Sequence, residues 1–239
     1  MGVNINYIDY GNKDGNALVL LHGWGQNIDM MKPIGDKFLK NYRVIIIDLP
    51  GHGKSNEPTN VLTVYDYSLM IHELLKELKV KNPTIIGHSF GGKIALVYAR
   101  KYDIKKLICL ASPYKKGIEK LSFKTKVLKV AKKIPILNKL EGFAKRRIGS
   151  TDYKEASDMM RKIMVESINL DITEDVKKIS VPTLLIWGTL DNAVSIEDAY
   201  SLEKLIPDSG LVVYEGATHY AYLERLGQTI KVIESFLGD

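Results

Sequence analysis

The sequence predicts an α/β fold: a mainly parallel central sheet of about seven strands with helices on both faces. Apolar runs near residues 17–22, 43–48, 83–87, 105–111, 183–188 and 210–215 alternate with helical patterns. Continuous apolar strands separated by helices belong to a sheet that is covered on both sides. At 239 residues the chain suits one compact domain with a modest insertion, able to bury a sizeable core. Hydrophobic residues at 45% against 26% charged give the balance of an ordinary globular protein.

Taken in order, Val3 to Tyr10 reads as an early antiparallel strand. The run Ala17–Leu21 ends in His22-Gly23-Trp24-Gly25. Arg43–Ile47 leads to Asp48 and the loop Leu49-Pro50-Gly51-His52-Gly53-Lys54-Ser55. A charged helix follows around Glu73 and Lys76, and its His72 reads as a solvated surface residue. The strand Thr84–Ile86 breaks sharply at Gly87-His88-Ser89-Phe90-Gly91-Gly92, and Ile94, Ala95, Val97 and Tyr98 then fall at helical spacing. The lone Cys109 lies in the strand Leu107–Ala111, which predicts a buried inert thiol; a single cysteine allows no intramolecular disulfide. From Ser112 to about Lys178 the alternation stops and only helical patterns remain. We therefore expect a core of residues 1–111 and 179–239, with residues 112–178 inserted as a helical unit. The strands Thr183–Trp187 and Leu211–Tyr214 complete the sheet.

The turn at Gly87–Gly91 is the most informative stretch. A strand that reverses directly into a helix strains its middle residue and holds that side chain out from the turn, here Ser89 in Gly-x-Ser-x-Gly. The helix N-terminus beside it offers free N–H groups to developing negative charge. A serine hydroxyl needs a base, and the chain has five histidines. His22 and His52 sit in the two early loops. His88 neighbours Ser89 but points elsewhere, because adjacent side chains diverge at a tight turn. His219 lies on a late loop after the strand Leu211–Tyr214 and is the candidate base. The candidate acid is Asp191, which follows Thr183–Trp187 at the same end of the sheet as Ser89. Asp48 reads as a loop-organising carboxylate, and Asp208 falls at the opposite end. Their chain order is Ser, Asp, His.

These motifs resemble the α/β-hydrolase superfamily along nearly the whole chain. His22–Gly25 looks like its oxyanion loop, Asp48–Ser55 like its Gly-rich loop, Gly87–Gly92 like its nucleophile elbow, and the Asp191 and His219 stretches like its acid and base loops. The resemblance implies an oxyanion hole formed by the backbone N–H groups of Trp24 and Phe90. It places a cap, or lid, at 112–178, and seven strands or an eighth that is vestigial. It also implies a serine hydrolase of carboxylic esters, a carboxylesterase or monoacylglycerol-type lipase, that needs no cofactor and acts on a small-molecule ester. Slow-turnover ligand receptors, menaquinone-pathway-type lyases and C–C bond hydrolases share the same pattern.

Cap residues Phe123, Leu128, Phe143 and Met164 are candidates for the substrate pocket. Between Lys115 and Arg147 there are twelve Lys or Arg against Glu119 and Glu141, while the whole chain carries only +6, so the rest is slightly acidic. Phe123, Val127, Val130, Ala131 and Ile134, interleaved with lysines, form a basic amphipathic pattern that Pro135 ends. It reads first as a cap helix over the pocket, and second as a weak attraction to anionic lipid surfaces or acidic substrates. No nucleic-acid-binding signature accompanies the charge, and no metal-ligand spacing is present. The start of the chain lacks the pattern of a secretory signal, and no apolar run approaches a membrane span, which makes a cytoplasmic protein the expectation. The oligomeric state leaves no mark in the sequence.

Overall fold

The computed structural model describes residues 3–116 and 156–238. Seven strands form one sheet, β1 (Tyr7–Gly11), β2 (Asn16–Leu21), β3 (Tyr42–Ile47), β4 (Thr84–His88), β5 (Lys106–Leu110), β6 (Thr183–Gly188) and β7 (Ser209–Tyr214). Their order is β1-β3-β2-β4-β5-β6-β7. β1 runs antiparallel to β3, and every other neighbouring pair is parallel. The stretch before β1 pairs without forming a strand: Asn4 and Asn6 carbonyls accept from Asn56 and Asp48 N–H at 3.0 and 2.9 Å.

The described helices are α1 (Ile28–Gly35), α2 (Val64–Glu77), α3 (Phe90–Lys101), α4 (Asp158–Asn169), α5 (Thr173–Val176), α6 (Ile196–Leu205), α7 (Ala221–Glu224) and α8 (Leu226–Leu237). Local chemistry sets their starts. A reciprocal Thr63–Asp66 capping box opens α2, and the Ser157 hydroxyl accepts from Met160 N–H to open α4.

Successive side chains of a strand point to opposite faces, and both faces here are apolar. Leu18, Leu20, Val44, Ile46, Ile86, Ile108 and Ile186 pack against Met31 and Ile34 of α1 and Ile233 of α8. Val19, Leu21, Ile45, Ile85, Leu107, Cys109 and Leu185 pack on the other side against Ile71 of α2, Ile94 and Val97 of α3, and Leu202 of α6. Burying one such side chain contributes roughly 1.5–3 kcal/mol. Double-sided burial is why the strands read as unbroken apolar runs. Cys109 is fully buried as expected, and burial pushes its thiol pKa up to about 12. His72 corrects its expectation. It is half-buried, stacked on the Tyr102 ring at 3.8 Å and 5°, with Nδ1 at 3.2 Å from the Tyr98 hydroxyl.

Topology places the site. The chain adds β3 on one side of β2 and β4 on the other, which opens a crevice at the carboxyl ends of β2 and β4. There Leu21 pairs with Gly87, so the loop after β2 lies beside the turn after β4.

Inside the stretch expected as a cap, Tyr114, Ile172 and Val176 pack into the main core, and α4 buries Met160, Ile163 and Met164. The division at 112 and 178 remains our proposal. The basic amphipathic segment, together with Phe123, Leu128 and Phe143, lies outside the described residues. Among the described residues no helix is long and apolar enough to cross a membrane.

Candidate active site

Ser89 is the N-cap of α3, with φ 50° and ψ −113°. Positive φ in a residue that carries a Cβ is strained and persists only where the surroundings impose it. Here they do so through the main chain. Ser89 N–H donates to the Leu110 carbonyl at 2.9 Å, Lys93 N–H to the Ser89 carbonyl at 3.0 Å, and Gly91 N–H to the His22 carbonyl at 3.1 Å. A Cβ on Gly91 would stand 2.5 Å from the carbonyl oxygens of both Leu21 and His22, so only glycine lets α3 approach β2 this closely. Gly91→Ala should therefore force α3 away from β2 and cost about 2–3 kcal/mol, read as a lower urea midpoint with an unchanged slope.

The loops that carry Asp191 and His219 leave adjacent strands. Asp191 Oδ1 accepts from Ala193 and Val194 N–H at 2.8 and 2.9 Å, and Oδ2 meets His219 Nδ1 at 2.8 Å. Asp191 is therefore fixed through Oδ1, which leaves Oδ2 for the imidazole. The loops are also laced together, with Leu190 N–H donating to the Ala217 carbonyl at 2.9 Å and Gly216 N–H to the Thr189 hydroxyl at 2.9 Å. Because a carboxylate only accepts, His219 carries its proton on Nδ1 and turns a lone pair outward on Nε2. The bond between Asp191 and His219 is formed. Among the described residues no hydrogen bond joins His219 to Ser89. The elbow reaches His219 through His88 instead: the ring of His88 packs at 4.8 Å from that of His219.

Trp24 and Phe90 face each other across the crevice, rings 5.1 Å apart and edge to face. Trp24 lies within a turn closed by Gln26 N–H on the Gly23 carbonyl at 3.3 Å, and Phe90 is the first residue of α3. Neither residue's N–H has an acceptor among the described residues. The loop around Trp24 is buttressed by His22, whose Nε2 accepts from Leu49 N–H at 3.0 Å while Nδ1 donates to the Gly23 carbonyl at 2.7 Å. Burial pushes the His22 pKa down to about 4, and that of His52 to about 4 as well, so both rings are neutral scaffolding. Asp48, 2% exposed, organises the neighbouring loop as expected: its carboxylate accepts from Ile28 N–H, Lys54 N–H and the Asn6 amide at 2.7–2.8 Å. Asp208 lies at the amino end of β6, where its carbonyl accepts from Thr183 N–H at 2.9 Å, away from Ser89.

Three features were not anticipated. His88 does not point away from the other candidate residues; it is fully buried and packs against His219. Lys93, one turn after Ser89, is also buried. Its Nζ donates to the Ser167 and Leu170 carbonyls at 2.7 and 2.5 Å, and so pins the C-terminal end of α4 to α3. A cation suits the negative end of a helix dipole, although burial pulls this lysine's pKa down to about 8. Met160 packs on the backbone of Gly51, so α4 lies over the loop that Asp48 organises. Met164, expected in the pocket, is on α4 and 2% exposed. Among the described residues no cluster of His, Cys, Asp or Glu is placed to hold a metal.

A mainly parallel sheet with a strained serine at the carboxyl end of a central strand, and a paired carboxylate and histidine on the loops after two later strands, defines an α/β protein with a sharp strand-to-helix elbow. Residues 16–133 match the family described as alpha/beta hydrolase fold. The chain is similar, 28% identical, to pimeloyl-[acyl-carrier protein] methyl ester esterase of Aliivibrio fischeri, over 94% of this chain and 95% of that protein. It is 27% identical to monoacylglycerol lipase ABHD6 of Mus musculus, over 93% of this chain and 75% of the relative. Among solved structures, an esterase from Exiguobacterium antarcticum superposes with a TM-score of 0.78 at 24% identity, over 100% of this chain and 97% of that one. This protein has the α/β-hydrolase fold.

Proposed function

We propose that the protein hydrolyses carboxylic esters, with Ser89 as nucleophile, His219 as general base and Asp191 as the orienting acid. The observation that carries this reading is the Asp191–His219 pair, 2.8 Å apart, on the side of the sheet where Ser89 is held in strained geometry. The pairing leaves Nε2 of His219 free to take a proton. Ser89 Oγ attacks the ester carbonyl carbon as Nε2 accepts its proton, and Asp191 stabilises the imidazolium. The unpartnered N–H groups of Trp24 and Phe90 receive the tetrahedral oxyanion. Removing one such donor costs about 3–4 kcal/mol of transition-state stabilisation. Collapse of the intermediate expels the alcohol, protonated by His219, and a water activated by the same base releases the acid.

The relatives' names, a methyl ester esterase and a monoacylglycerol lipase, support an uncharged alcohol leaving group and an aliphatic acyl chain. A carboxylesterase or monoacylglycerol-type lipase is therefore the narrower proposal, with a small-molecule ester as substrate. The test is a p-nitrophenyl ester series from acetyl to palmitoyl, with Ser89→Ala beside the wild type. Turnover should peak at one chain length and vanish in the folded variant. A folded wild type no faster than Ser89→Ala on the whole series would sink the ester-hydrolase reading.

A further inference from the structure

His88 lies between two parts of the site that the mechanism treats separately. Its Nε2 is 3.2 Å from the carbonyl oxygen of His219. Both ring nitrogens face acceptors and a neutral ring carries one proton. The Gln26 oxygen already takes the Gly23 N–H, whereas no main-chain N–H among the described residues reaches the His219 carbonyl, so the proton belongs on Nε2. The same ring packs against His219 at 4.8 Å, Tyr222 at 4.7 Å and Tyr220 at 5.4 Å. Nδ1 lies 3.2 Å from the Gln26 side-chain oxygen in a contact that carries no proton; that oxygen accepts the Gly23 N–H at 3.0 Å, and the Gln26 amide nitrogen donates to the Tyr220 hydroxyl at 3.3 Å. A Cβ on Gly23 would come within 2.9 Å of Nδ1, so the ring lies directly against the turn that presents Trp24. One buried imidazole thus joins the elbow, the base loop and the oxyanion turn.

We propose that His88 is a positioning residue, which fixes the His219 loop to the elbow by donating to the His219 carbonyl and packing beneath its ring. The inference rests on the assignment of Ser89 and His219 as nucleophile and base. Its physical need follows from the other contacts: Asp191 orients the imidazole through one hydrogen bond, and the main-chain bonds of the His219 loop run to the Asp191 loop and, among the described residues, not to the elbow. A displacement of about 1 Å in such a pair can cost on the order of 100-fold in rate. Full burial and the neighbouring His219 both drive the His88 pKa well below the ordinary histidine value. The tether therefore stays neutral, and does not compete for the proton, while His219 is charged.

The experiment is the rate of covalent labelling of Ser89 by a fluorophosphonate probe, which needs an activated serine and no knowledge of the substrate. Wild type, His88→Leu and His88→Gln are compared at one pH, with Ser89→Ala as the blank. Leucine fills the space without a donor, whereas the glutamine amide can still donate to the carbonyl. His88→Leu should label at least about tenfold more slowly, and His88→Gln should stay within about threefold of wild type. If His88→Leu does not fold, His88→Asn takes its place, since its shorter amide cannot reach the carbonyl and the same slowing is expected. Labelling of the donorless variant within twofold of wild type overturns the inference, as does a His88→Gln as slow as it. A wild type that does not label at all overturns the nucleophile assignment and this inference with it.

Discussion

Asp191→Asn should remove about four orders of magnitude from kcat while leaving the fold in place, the size this change has in Ser-His-Asp systems. The reason is specific to how Asp191 is held. Its Oδ1 accepts two main-chain N–H groups, from Ala193 and Val194, so an asparagine must keep its carbonyl oxygen at that position. The amide nitrogen then stands where Oδ2 was, as a donor facing His219 Nδ1. His219 answers by moving its proton to Nε2, and a protonated Nε2 cannot accept from Ser89. Stability should change by no more than about 1–2 kcal/mol, because the loop keeps both main-chain bonds. The measurement is kcat on the best p-nitrophenyl ester together with the urea midpoint. A kcat within tenfold of wild type would show that another carboxylate orients the base. Asp48 is poorly placed to be that group, since it is already engaged by Ile28, Lys54 and Asn6.

What could be read from the sequence follows from what its local chemistry determines. The sheet was legible because both of its faces are buried, which writes each strand as an apolar run, and six of the expected strands lie within about two residues of those observed. The elbow was legible because Gly87, Gly91 and Gly92 are contiguous with the residue they strain. The pairing of Asp191 with His219 was legible through chain order and strand ends. The features that escaped depend on contacts with no local signature. Lys93 reads as one charge in an apolar helix, and its partners are the carbonyls of residues 167 and 170, which any side chain could carry. His72 sits beside Glu73 in a charged helix, and only packing of α2 against α3 brings the Tyr98 and Tyr102 rings to it. His88 meets its partner across 131 positions of sequence. Divergence of neighbouring side chains does carry His88 away from Ser89, but it carries it onto the base.

The buried histidines imply a second large effect, a loss of stability in mild acid that sets in near the ordinary histidine pKa. His22, His52 and His88 are all neutral in the native state, and burial is the first cause in each case. A base whose folded pKa is lowered binds its proton more readily in the unfolded chain. Its contribution is fully present above the unfolded value of 6.5 and is lost as the pH falls toward the folded value, about 4 for His22 and His52. One pH unit corresponds to about 1.4 kcal/mol, so each of these two rings accounts for on the order of 3 kcal/mol. Structure gives the loss a location. Protonated His22 would present Nε2–H to the Leu49 N–H it now accepts from, and the His52 ring lies 5.5 Å away, so a second charge there is opposed by the first. Carboxylates act lower: Asp9, held below 3.8 by Arg43, is fully charged through this window. Unfolding free energy measured in urea should therefore fall by at least about 5 kcal/mol between pH 7.5 and 4.5, and His52→Gln should shrink that fall by about 2 kcal/mol. A free energy that stays level over this range would mean that these rings are charged or solvated in the native protein, and the scaffold beneath the Trp24 turn would have to be drawn differently.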